Sequence, residues 1–245
     1  MSAHSIEIIP AIDLSGGRCV RLLRGDFARE TVFSDDPIAV AREWERRGGR
    51  RLHIVDLDGA RVGEPQNWQT VERIVAAVSI PVQLGGGLRR TDLVQRALAL
   101  GLDRVSVGTS AALDPDWTRE ACARFGERLA LDIGAREGRL AIRGWQEVID
   151  RPVIDFAQEL ESLGARRIIF TDVTRDGAMR GPNIESMRAM AEAVDIPVIA
   201  SGGVTTADDV RALRETGVEG CIIGRALYEG TLTIEAALEA ARHAG

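Results

Sequence analysis

The chain has 245 residues, a length that suits a single large domain with a substantial core. Apolar residues make up 45% and charged residues 28%, the balance of a globular protein rather than a disordered one. The formal net charge of −6 argues against a nucleic-acid-binding face, but an anionic small molecule stays open because local arginines and backbone amides override the overall sign.

Short apolar runs alternate with longer amphipathic ones along the whole sequence. A strand is predicted over 6–13 and a helix over 36–47, with Ile38, Val40, Ala41 and Trp44 on one face. Strand 51–56 and helix 67–78 come next, then strand 81–84 and helix 91–100, then strand 104–108 and helix 115–125. The second half reads likewise: strand 128–133 and helix 152–163, strand 167–172 and helix 183–194, strand 197–201 and helix 206–215, strand 220–224 and helix 233–243. Gly48, Gly101, Gly164 and Gly217 stand where a left-handed residue ends a helix. Eight alternating strand–helix units mean a parallel sheet, either an open doubly wound sheet or a closed barrel.

An internal repeat decides between them. At an offset of 116 residues, Asp56 meets Asp172, Asn67 meets Asn183, Pro81 meets Pro197, Gly86-Gly87 meets Gly202-Gly203, and Gly108 meets Gly224. The first strands match at an offset of 119, Asp13 with Asp132, so three extra residues lie between strand one and helix one. Two (βα)₄ halves, about 1–125 and 126–245, close into one (β/α)₈ TIM barrel spanning the chain. An open sheet would not make its halves equivalent, because its edges differ from its centre.

In such barrels the active site lies at the C-terminal ends of the strands. Gly86, Gly87, Gly108 and Thr109 in one half, and Gly202, Gly203, Gly224 and Arg225 in the other, end strands there. Glycines at those positions let backbone N–H groups approach and cradle a phosphate. They also serve simple tight turns, but two paired constellations favour phosphate, and hence a substrate phosphorylated at both ends. Asp13 and Asp132 end strands that face each other across the mouth. Two carboxylates so placed can divide acid and base roles if their surroundings separate their pKa values. Asp56 and Asp172 form a second pair, read as loop organisers. Asp58-Gly59 and Asp176-Gly177 read as glycine-turned loops, and His53 lies within strand two, near the mouth.

No metal or cofactor is expected. The three histidines, His4, His53 and His243, lack ligand spacing, and no Gly-x-Gly-x-x-Gly opens a helix after a strand. Cys19, Cys122 and Cys221 are odd in number and widely spaced, which points to a reducing, cytoplasmic setting. No basic segment followed by an apolar stretch opens the sequence, and no run of about 18 apolar residues predicts a membrane span. A monomer is the default expectation.

Longer runs carry a family resemblance. Ile9-Pro10-Ala11-Ile12-Asp13-Leu14, Gln83-Leu84-Gly85-Gly86-Gly87-Leu88-Arg89, Arg143-Gly144-Trp145, Asp172-Val173-Thr174-Arg175-Asp176-Gly177 and Ala200-Ser201-Gly202-Gly203-Val204 are among them. Across nearly its whole length the chain resembles the phosphoribosylformimino-aminoimidazole-carboxamide ribotide (ProFAR) isomerases of histidine biosynthesis. That resemblance implies an Amadori rearrangement of an aminoaldose to an aminoketose. It implies Asp13 as the base at C2 of the opened sugar, Asp132 as the acid that assists ring opening, and Thr171 with His53 as positioning groups. Arg21 and Asp176 would contact substrate, Trp145 would cover the imidazole-carboxamide, and the glycines, with Gly177 nearby, would hold the phosphates. Closure of mobile loops around 17–25 and 135–145 should exclude water. Three alternatives remain at this point: an isomerase that also takes phosphoribosylanthranilate, the imidazole-glycerol-phosphate cyclase with a glutaminase partner, and a non-catalytic phosphate-binding barrel. The cyclase usually opens Cys-Leu-Asp-Val where this chain reads Ala-Ile-Asp-Leu.

Overall fold

A computed structural model describes residues 5–242. His4 and His243 lie outside that range. Eight parallel strands form the barrel: β1 (Glu7–Ser15), β2 (Leu52–Asp56), β3 (Val82–Gly85), β4 (Arg104–Val107), β5 (Leu129–Arg136), β6 (Ile168–Asp172), β7 (Val198–Ser201) and β8 (Gly220–Ile223). Each pairs with the next, and β8 returns to β1 with Glu7 opposite Gly220 and Pro10 opposite Ile223, which closes the cylinder. The sheet is therefore a (β/α)₈ barrel.

The eight predicted helices are present at nearly the predicted bounds, and their caps explain why. Asp36 accepts from the N–H groups of Ile38 and Ala39 before Pro37–Arg46, with proline at the first helical position. Asp114 and Pro115 repeat this device before Pro115–Phe125, and Thr206 with Asp209 forms a capping box before Ala207–Arg214. Gly48, Gly101, Gly164 and Gly217 all have positive φ just past their helices. Inside the barrel, Ile9, Ala11, Ala130, Ile169, Ile199 and Ile222 fill the middle layer. Below it, at the N-terminal ends of the strands, Arg51 pairs with Glu7 and Asp103, and Arg167 with Glu219 and Glu127. The floor is thus a charged belt, and the open end is the C-terminal one.

Two expectations need correction. The segments read as mobile loops are β-hairpins. Arg18–Leu23 pairs antiparallel with β1 and with Asp26–Ser34, and Arg139–Ile142 pairs with β5 and with Glu147–Pro152. Their two-residue turns, Gly16-Gly17, Arg24-Gly25 and Glu137-Gly138, all have positive φ at both residues, the condition a tight right-twisted hairpin demands. Asp58-Gly59 is likewise no loop counterpart of Asp176-Gly177, because Leu57–Val62 is a short helix capped by Asp56.

The Asp56 and Asp172 pair organises the segments after β2 and β6. Fully buried Asp56 accepts from the N–H groups of Gly59, Gln66 and Asn67 and from the Asn67 amide, at 2.7–2.8 Å. Asp172 accepts from the Thr174 N–H and hydroxyl and from Asn183 Nδ2. Removing either carboxylate strands several buried donors, each worth about 1–3 kcal/mol when left unmade. Asp56→Ala should therefore lower the unfolding free energy by about 3–5 kcal/mol, and by more than Asp172→Ala, in urea titrations of both variants.

Candidate active site

Every site residue singled out from the sequence lines one of two adjoining cavities at the C-terminal end of the barrel. Gly86, Gly87, Gly108 and Thr109 line the first, together with Arg89 and Arg143. Asp13, Arg21, His53, Thr171, Asp176, Gly177, Gly202, Gly203, Gly224 and Arg225 line the second. Asp132 and Trp145 border both, so they stand at the junction.

β1 and the first hairpin strand create the central ion pair. Asp13 lies opposite Val20, which places Arg21 close enough for its Nη1 to reach Asp13 Oδ2 at 2.7 Å. Arg21 Nη2 donates to the Ala11 carbonyl at 2.6 Å, and its guanidinium lies 5.3 Å from the Tyr228 ring centroid. A Cβ on Gly224 would stand 2.4 Å from Arg21 Cζ. A side chain at position 224 would have to displace the Arg21 guanidinium, and with it the bonds to Asp13 and Ala11. Burial pushes Asp13 above the ordinary carboxylate value, with Arg21 opposing. The result is a carboxylate more basic than one in water, paired with a cation.

Across the mouth, Asp132 has no such partner. Its Oδ1 is buried without a hydrogen bond, and burial, reinforced by the charge of Asp176, pushes its pKa up to about 7. Asp176 is also raised to about 7, by burial first and then by Asp13, while Arg21 pulls the other way. The Asp176-Gly177 loop is tied in place from two sides. Arg24 N–H donates to the Asp176 carbonyl at 3.1 Å, and Arg225 Nη1 to the Gly177 carbonyl at 2.9 Å. Since the Arg225 side chain also pairs with Glu229, its offering to an anion is the backbone N–H.

The glycine pairs have a reason beyond any ligand. A Cβ on Gly86 would meet the Asp56 carbonyl oxygen at 2.2 Å, and one on Gly202 the Asp172 carbonyl oxygen at 2.7 Å. Both also have positive φ, as do Gly87 and Gly203. The turns are compelled by packing, and they leave backbone free to approach a ligand. Gly108 and Gly224 precede the short helices Thr109–Leu113 and Arg225–Glu229, which the periodicity did not reveal.

Trp145, in the turn of the second hairpin, packs between Gly25 of the first hairpin and Gly134 of β5. A Cβ on Gly25 would meet its ring at 2.7 Å, and one on Gly134 its Nε1 at 2.5 Å. The Arg143 N–H donates to Thr109 Oγ1 at 2.9 Å, so the second hairpin reaches over the first half's glycine turn. Arg89 was missed as a site residue. Burial and the neighbouring charge of Arg143 hold its pKa below the ordinary arginine value, and an anion between them would relieve that repulsion. Its place directly after Gly86-Gly87-Leu88 was the available signal.

The chain matches the family model described as "Histidine biosynthesis protein" over residues 7–233. It is 51% identical over 234 residues to a protein of Pelotomaculum thermopropionicum, covering 94% of this chain and 90% of that one. It is 50% identical over 236 residues to a protein of Chloroflexus aurantiacus, covering 96% and 98%, and 46% identical over 234 residues to one of Dehalococcoides mccartyi, covering 96% and 99%. All three are named 1-(5-phosphoribosyl)-5-((5-phosphoribosylamino)methylideneamino)imidazole-4-carboxamide isomerase. The chain belongs to the histidine biosynthesis protein family.

Proposed function

We propose that this protein is the ProFAR isomerase of histidine biosynthesis, an aldose–ketose isomerase acting by acid–base catalysis. The observation that carries the reading is the pair of unlike carboxylates at one mouth, Asp13 held against Arg21 and Asp132 without a partner. One is suited to take a proton and the other to give one.

In this reading the substrate spans both cavities, with one phosphate at each glycine turn. Asp132, at the junction, donates a proton to the ribose ring oxygen as the C1–O bond breaks, which opens the sugar and leaves an iminium at C1. Asp13 removes the C2 proton, giving an enolamine. Transfer of a proton to C1 and loss of the C2 hydroxyl proton then yield the aminoketose, with no net change in composition. Thr171 and His53 position the sugar, and Trp145 covers the imidazole-carboxamide. The substrate is a small molecule, and no helix among the described residues is long and apolar enough to cross a membrane. A monomer in the cytoplasm fits the sequence.

Purified protein should turn over ProFAR and not phosphoribosylanthranilate when both are assayed in parallel. Turnover of both would make it a dual-pathway enzyme, and turnover of neither would sink the isomerase reading.

The pH profile derives from the two carboxylates. Activity should fall as pH rises above about 7, where Asp132 loses its proton. The acid limb should lie above the ordinary carboxylate range because burial raises Asp13. Asp176 titrates near Asp132, so the assignment rests on variants. Asp132→Asn should cost about 10²–10⁴-fold in kcat and abolish the basic limb, whereas Asp176→Asn should keep that limb and move it to lower pH, because the charge of Asp176 helps raise Asp132.

The same burial has a stability consequence. In the unfolded chain Asp132 titrates near 3.8, while in the folded protein it titrates at about 7. The folded state therefore loses stability as pH rises through that window, and the loss is complete above it. Asp132→Asn should stabilise the fold, by an amount that grows from about pH 4 to 7 and then levels off at a few kcal/mol. Denaturant melts at several pH values would expose a flat difference if this is wrong.

A further inference from the structure

The interior of the barrel holds a chain of buried polar side chains that ends on His53, and two of its members, Arg104 and Gln83, have no part in the proposed chemistry. Arg104 of β4 donates from Nη1 to Gln83 Oε1 at 3.2 Å. Gln83 of β3, fully buried, has its Nε2 2.8 Å from Nδ1 of His53 on β2. His53 itself is nearly buried and lines the second cavity. The chain begins at the charged floor, where Arg104 stands near Arg51 and Arg167, and ends at the substrate mouth.

The donor and acceptor inventory of these groups allows one arrangement. A guanidinium only donates, so the Gln83 carbonyl oxygen must face Arg104. That leaves the Gln83 NH₂ toward His53, and an amide NH₂ also only donates. His53 Nδ1 must then present its lone pair, and the ring proton must sit on Nε2. Protonating Nδ1 would set two donors against each other. Burial, with the charges of Arg21 and Arg104, pushes the His53 pKa down to about 3, in the same direction. No residue among those described bonds Nε2.

The geometry points to Arg104 and Gln83 as positioning residues that lock His53 in the neutral Nε2–H tautomer, as a fixed donor to a sugar oxygen of the substrate. The identity of that oxygen rests on the isomerase reading; the lock does not. A neutral imidazole that cannot become a cation is useful next to Asp13 and Asp132. It stabilises negative charge developing on an oxygen without surrendering a proton to either carboxylate. It also leaves the acid and base roles to those two groups alone.

The test is long-range ¹H–¹⁵N correlation NMR on the free, full-length protein labelled at histidine. The sequence has three histidines, and a His53→Gln spectrum identifies the signals of His53. The wild type should show a protonated Nε2 and an unprotonated Nδ1, unchanged between about pH 5 and 8. Gln83→Glu places an acceptor at Nδ1. It should move the proton there or produce the imidazolium, and lower kcat by about 10–100-fold with little change in KM, the usual range for a group that orients a functional histidine. Arg104→Lys keeps a donor on the Gln83 oxygen and should retain the wild-type tautomer, whereas Arg104→Met should give a mixture. A wild-type protein with the proton on Nδ1, or a tautomer mixture, would overturn the proposal. So would a folded Gln83→Glu with unchanged signals and kcat. Should Gln83→Glu not fold, the wild-type spectrum and the Arg104 pair still decide. The tautomer is read without substrate, so a chain that failed on ProFAR would still show or refute the lock.

Discussion

The guanidinium of Arg21 is the group on which the mouth of this barrel depends. It neutralises Asp13, bonds the Ala11 carbonyl, lies over Tyr228 and occupies the space that any side chain at position 224 would take. Tyr228 also donates to the Ala11 carbonyl and packs edge-on against Trp44, so the arginine rests on an aromatic floor. A buried carboxylate without such a cation would take up a proton. With it, Asp13 is kept as a paired carboxylate. The same charge helps keep His53 neutral and pulls Asp176 back toward the anion. Arg21 comes from the hairpin after β1, so that hairpin is part of the electrostatics of the site and not only a cover.

The other aspartates show what happens away from that cation. Asp132 and Asp176 are both buried, and each is raised to about 7. The fold carries these groups at a cost in stability, because the unfolded chain solvates their charges freely. An amide at position 132 would be the more stable choice. The stability of the loops around the site comes from elsewhere, chiefly from Asp56 and Asp172, which satisfy rows of backbone donors at the ends of β2 and β6.

The two halves agree in scaffold and diverge in chemistry. Gly86 and Gly202 are held by the same close approach to a strand-end aspartate, and Asn67 and Asn183 bond equivalent carboxylates. Yet β2 is followed by a helix and β6 by the loop that carries Asp176. The first glycine turn is followed by Arg89, and the matching position in the second half is Thr205, whose hydroxyl donates to the Gly203 carbonyl. The first cavity is therefore the more cationic of the two, with Arg89 and Arg143 on its rim. A symmetric frame thus presents an asymmetric mouth.

Much of this was legible in the sequence, because it derives from local rules and from the repeat. Helix bounds come from caps such as Asp36-Pro37 and Thr206, strand order from the alternation, and closure from the equivalence of residues 116 apart. Asp13, Asp132 and the glycine turns could be placed at one mouth from the sequence because strand ends in a barrel converge. The hairpins were missed as strands although Gly16-Gly17, Arg24-Gly25 and Glu137-Gly138 marked their turns, since the short strands after β1 and β5, where the repeat changes its offset, have no helix beside them to set the period. What the tertiary structure alone decided is the difference between the carboxylates. Sequence shows two aspartates at matching strand ends, but protonation depends on which charges and how much water reach each one. Only the fold brings Arg21 to Asp13, denies any partner to Asp132 Oδ1, and sets Gln83 between Arg104 and His53.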